Sequence, residues 1–136
     1  MKYTKQKMRV LITGGAGFIG HHIIEHLLHK TNWTIVSLDR LDYSGNLNRI
    51  KEITQDSSLL KKRVKIIWHD LKASLNKQIV KKIGRIDYIA HLAAGSHVDR
   101  SIKDPMEFVM DNVVGTANLL DYARLNLKSL KKFIYF

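Results

Sequence analysis

At 136 residues the chain is near the commonest size for a single domain and long enough to bury a core. It has no cysteine, which excludes disulfides, thiolate metal sites and a cysteine nucleophile. No apolar run reaches the ~18 residues of a membrane span and no signal-like segment opens the chain, so a soluble, cytoplasmic protein is expected. The net charge of +11 comes from clusters: Lys2, Lys5, Lys7 and Arg9; Lys61, Lys62, Arg63 and Lys65; Lys81, Lys82 and Arg85; Lys128, Lys131 and Lys132. Such a field favours polyanions, nucleic acid included. The clusters lack interleaved aromatics and any nucleic-acid motif, so a solvated lysine-rich surface is the simpler reading.

Residues 1–8 read as a polar, basic leader, and residues 9–136 as one domain. Residues 9–13 form a first strand and 18–29 an amphipathic helix with apolar positions at 18, 19, 23, 24, 27 and 28. Between them lies Thr13-Gly14-Gly15-Ala16-Gly17-Phe18-Ile19-Gly20, with glycines spaced Gly14-x-x-Gly17-x-x-Gly20. A glycine-rich turn from strand to helix is the context in which backbone amides and the helix dipole bind a pyrophosphate. A ligand-free turn is the alternative.

A second strand, residues 34–39, ends in Asp39, and a turn-rich loop leads to a short helix around 47–55. Further strands are expected at 64–68, 86–92 and 132–136, with a helix around 75–82 and a long one at about 105–127. That long helix carries an apolar stripe of Met106, Phe108, Met110, Val113, Val114, Ala117, Leu120 and Ala123. The alternation makes this an α/β protein with a doubly wound parallel sheet of the Rossmann type, in strand order 3-2-1-4-5. Its ligand crevice should open at the carboxyl ends of strands one and four. Asp39 lies where a carboxylate accepts hydrogen bonds from an adenosine ribose and repels a 2′-phosphate, so NAD is expected over NADP. Arg40 beside it weighs the other way, and a plain strand-end turn is the alternative for Asp39.

The strings Thr13 to Gly20, Asp39 to Asn46, His69-Asp70, His91 to Ser101 and Asn112 to Thr116 occur in that order. Together they resemble the N-terminal part of the extended short-chain dehydrogenase/reductases, and are most similar to the dTDP-glucose 4,6-dehydratases. This resemblance implies tightly held NAD and a nucleotide-sugar substrate. Cofactor contacts would come from Gly14, Gly17, Phe18, Ile19 and Gly20 at the pyrophosphate, from Asp39 and Arg40 flanking the adenosine ribose, and from Leu41 and Asp42 beside the cofactor. Asp70 and Leu71 would border the adenine, and Leu92, Ala93 and Ala94 would line the cofactor. Ser96 would stand between cofactor and sugar nucleotide, and Asp111 near the nicotinamide side.

Three positions depart from the family pattern: Asp42 and Asp111 stand where threonines are usual, and Gly95 replaces a glutamate. Two added carboxylates beside an anionic cofactor weaken binding by an amount set by their burial. The family's Thr-Asp-Glu and Tyr-x-x-x-Lys catalytic segments would fall after Phe136, as would the sugar-binding region. Tyr3 and Lys7 match that spacing only by chance. The expectation is therefore an NAD-binding part without catalytic residues of its own, truncated after the fifth strand, self-associating through the long helix or the open sheet edge. The alternatives are a non-catalytic dinucleotide sensor, a basic scaffold for polyanions, or another NAD-dependent nucleotide-sugar epimerase or dehydratase. His22, His26 and His29 share helical spacing but lie on the polar side without an acid motif, so no metal site is expected.

Overall fold

A computed structural model describes residues 7–55 and 57–136; most of the leader, including Tyr3, lies outside them. Five strands, β1 (Arg9–Thr13), β2 (Thr34–Asp39), β3 (Val64–Trp68), β4 (Tyr88–His91) and β5 (Lys132–Tyr135), pair in parallel in the order 3-2-1-4-5. Successive strand residues alternate between two cores, as a sheet covered on both faces requires. Val10, Ile12, Ile35 and Ala90 face α1 (Phe18–Lys30) and α2 (Leu47–Glu52), which contribute Ile24, Leu28 and Ile50. Leu11, Val36, Leu38, Ile67 and Ile89 face the other layer. That layer gives Ile83 from α4 (Lys77–Ile83), with Leu119, Tyr122 and Ala123 from α7 (Gly115–Asn126).

The expected long helix is interrupted. It comprises α6 (Pro105–Val109), started by Asp104, whose carboxylate accepts from the Glu107 amide, then a π-helical turn over Met110–Val114, then α7. The wider turn changes the helix phase. Leu119, Tyr122 and Ala123 reach the core, while Met106, Met110, Val113 and Leu120 from the expected stripe stay exposed. Two short helices were not legible as such: α3 (Ser58–Lys61) and α5 (Val98–Lys103). Each is too brief to show a 3.6-residue period.

Several basic residues, among them Arg9 and Arg63 from the clusters read as solvated surface, bond to backbone carbonyls. The Arg63 guanidinium donates to the carbonyls of Leu28, Thr31 and Trp33 at 2.7–2.9 Å, satisfying the C-terminal end of α1. Arg49 donates to Ala16 and Ser44, and Arg9 to Ile83. A planar fork meets three carbonyls that an ammonium cannot. Arg63→Lys is therefore expected to cost about 1–2 kcal/mol of stability despite keeping the charge. Denaturant titration checks it; an unchanged midpoint would show that the charge alone suffices.

Candidate functional site

The glycine turn is built by backbone bonding. Gly14 takes φ +71, which only glycine adopts cheaply, and its amide donates to the Leu38 carbonyl while its own carbonyl accepts from Gly17. A Cβ at Gly20 would lie 2.1 Å from the Gly14 carbonyl oxygen, so α1 can approach the turn only with glycine there. Helix α1 then begins at Phe18, preceded by Gly17, with no side-chain cap and no acid in its first turn. Its first amides and the positive dipole end thus open onto a crevice of about 330 Å³ at the carboxyl ends of the strands.

Asp39, buried at the end of β2, faces the same crevice. One carboxylate oxygen accepts from the Ala16 amide at 3.0 Å and the other from the Leu41 amide at 2.8 Å. A carboxylate oxygen has a second acceptor site, so capacity remains toward the crevice. Leu41 itself is bent to φ 56 by this bond, and its side chain packs into the α1-side core. That side chain faces the core rather than the crevice. Trp68 is 67% exposed and donates its indole N–H to the Arg40 carbonyl, fixing the backbone at the exit of β2.

The crevice does bring together Gly14, Gly17, Phe18, Ile19, Gly20, Asp39, Arg40, Asp42, Asp70, Leu71, Leu92, Ala93, Ala94, Ser96 and Asp111. Ser44 and His69 join them without having been anticipated. Asp111 sits on the π-helical turn. The π-helical turn carries it to the β2–β3 side, where it takes a bidentate pair with Arg40 at 2.5 and 2.8 Å. Asp42 accepts from Arg40 Nε at 2.7 Å and from the Ser44 amide and hydroxyl. Burial alone would raise the Asp42 carboxyl, but Ser44 and Arg40 hold it below its ordinary value. Both added carboxylates are thus paired rather than aimed unopposed at a ligand. Gly95 has the space of a glycine only: a Cβ there would meet the Phe108 ring at 2.9 Å.

A directed line of hydrogen bonds fixes the loop after β4. The Thr13 hydroxyl oxygen accepts from the Leu92 and Ala93 amides, so its proton points to His91 Nδ1 at 2.6 Å. His91 Nε2 therefore carries hydrogen and donates to Thr116 at 2.9 Å, and Thr116 donates to the Asn112 carbonyl. The Asn112 side chain clasps the backbone of Gly95, accepting from its amide and donating to its carbonyl. Asn118 donates to the carbonyls of Leu71 and Lys72, holding the loop after β3. Polar Thr116 and Asn118 beside an apolar face were the sequence signal for these contacts. Elsewhere, His22 faces Glu25 and stacks near His21, and no metal-binding group of three is present among the described residues.

Burial without a charged partner lowers His91 to about 4 from its ordinary 6.5. The unfolded chain then takes up a proton that the folded one refuses between those values, so stability rises with pH across this window and is complete above it. The melting temperature of the parent should fall as pH drops from 6.5 toward 4 more steeply than that of His91→Asn. Parallel curves would remove His91 from the acid response.

Comparisons with known proteins follow the same outline. The dTDP-glucose 4,6-dehydratase of Salmonella typhimurium is 40% identical over 117 residues, covering 86% of this chain and 31% of the relative. The dTDP-glucose 4,6-dehydratase of Streptomyces venezuelae, solved with NAD bound, superposes with a TM-score of 0.72 at 36% identity, over 85% of this chain and 35% of that one. The UDP-Glc/GlcNAc 4-epimerase of Campylobacter jejuni gives a TM-score of 0.77 at 31% identity, over 94% of this chain and 36% of that one. The chain thus spans about a third of the length of the relatives it matches. A family model described as GDP-mannose 4,6 dehydratase matches residues 11–136, and the chain belongs to that family.

Proposed function

We propose that this chain binds NAD as the dinucleotide-binding part of a cytoplasmic nucleotide-sugar 4,6-dehydratase acting on dTDP-glucose. The observation that carries the cofactor reading is the uncapped start of α1 standing beside Asp39 in one crevice. The amides at Phe18 and Ile19 would take the pyrophosphate, and the free acceptor sites of Asp39 the adenosine ribose hydroxyls. Asp70 and Leu71, the latter's carbonyl held by Asn118, would border the adenine, with Leu92, Ala93 and Ala94 along the cofactor and Ser96 toward the sugar nucleotide. When bound, NAD supplies a hydride acceptor. The residues present supply binding and orientation, and they align with about a third of each relative's length.

The 4-epimerase reading is kept because a UDP-sugar epimerase superposes at least as well as the dehydratase does. Identity of 40% to dehydratases over 117 residues favours the dehydratase. Both readings place NAD in the same crevice, so the cofactor is the first thing to test. Calorimetry should show NAD binding, and Asp39→Ala should weaken it about 10- to 100-fold, the range for lost hydrogen bonds to a charged group. A folded chain that ignores NAD but binds nucleic acid in a salt-dependent way would replace this reading with the polyanion scaffold.

A further inference from the structure

The cofactor reading leaves one contradiction in the sequence. Asp39 at the end of β2 disfavours a 2′-phosphate, whereas an arginine immediately after it is the side chain that usually accepts one. The structure shows what has become of that arginine. Arg40 Nε donates to Asp42 at 2.7 Å, Nη1 and Nη2 grip both oxygens of Asp111, and Asp70 lies 3.9 Å from Nη1. Three of its five N–H donors are thereby committed to two carboxylates. The Asp111 side chain is only 8% exposed, so this pair is shielded from the solvent that weakens surface ion pairs. The hydrogen bonds to Asp111 are the largest influence holding Arg40 above its ordinary pKa.

The surroundings reinforce the point. Lys72, a second cation near this end, is itself taken by Glu107 at 2.8 Å and stands within 4 Å of Asp70 and Asp111. The crevice lining itself holds Asp39, Asp42, Asp70 and Asp111, with Arg40 as its one arginine or lysine among the described residues. In a chain of net charge +11, the end of the crevice beside Asp39 is locally acidic.

We propose that Asp111 is a specificity-determining residue: by holding Arg40 in a bidentate pair from the π-helical turn, it withholds the guanidinium from a 2′-phosphate and makes the site reject NADP. Asp42 assists by occupying Nε. The inference rests on the cofactor reading above and adds to it a residue 71 positions from Arg40 that no local motif connects to cofactor choice.

The test is the ratio of NAD to NADP affinity, measured by calorimetry on the 136-residue chain and its variants. Asp111→Asn keeps the shape and removes the charge. It should shift the ratio toward NADP by about 10- to 100-fold, the range of a charge-assisted hydrogen bond. Combining it with Arg40→Ala should abolish that gain, because the gain needs the released guanidinium. Asp42→Asn, on an exposed loop, should shift the ratio in the same direction by less, and it serves if Asp111→Asn does not fold. An unmoved ratio in a chain that binds NAD overturns the inference and leaves the cofactor reading standing. A shift that persists without Arg40 also overturns it, since simple carboxylate repulsion would then account for the effect. A parent chain that binds no NAD overturns the cofactor reading and this inference together.

Discussion

Asp39 is the group on which the site depends. Its two oxygens accept from the amides of Ala16 and Leu41, so one carboxylate ties the glycine turn after β1 to the exit of β2. The geometry of both loops follows. The turn is held with the first amides of α1 facing outward, and Leu41 is forced into a left-handed conformation that rare positions of this kind adopt only when surrounding bonds fix them. The sheet supplies the platform, since parallel pairing brings all the strand ends to one edge.

A second constraint runs through the interior rather than along the chain. Thr13, His91, Thr116 and Asn112 form a line of hydrogen bonds in which each proton has one possible direction. The line is anchored at both ends by backbone, the Leu92 and Ala93 amides on one side and the Asn112 carbonyl on the other. It couples the end of β1, the end of β4 and the π-helical turn. A turn of that type carries an extra residue, and here its side chains serve the crevice: Asn112 on Gly95, Asp111 on Arg40. Buried polar groups that are fully satisfied specify one arrangement of the elements they join.

Charge is distributed against the average. The surface is strongly basic, yet part of that basic count is spent on carbonyls at helix ends and loops, as with Arg63, Arg49 and Arg9. Cations near the crevice are matched or outnumbered by carboxylates. Net charge therefore describes the solvated field and gives little information about the site.

The sequence by itself determined the architecture, because alternating strands and helices, a glycine turn after β1 and an acid after β2 are local patterns with one economical parallel arrangement. It also marked most of the crevice, since residues at strand ends are carried there by topology alone. It did not determine Leu41's direction, the interruption of the long helix, or the partner of Arg40. Those depend on contacts between residues far apart in the chain, such as Arg40 with Asp111 and His91 with Thr13 and Thr116. A helical period cannot show a π-helical turn whose extra residue is stabilised by tertiary hydrogen bonds, and a charge count cannot show which acid a base will meet. Only the packed sheet and its covering helices decided both.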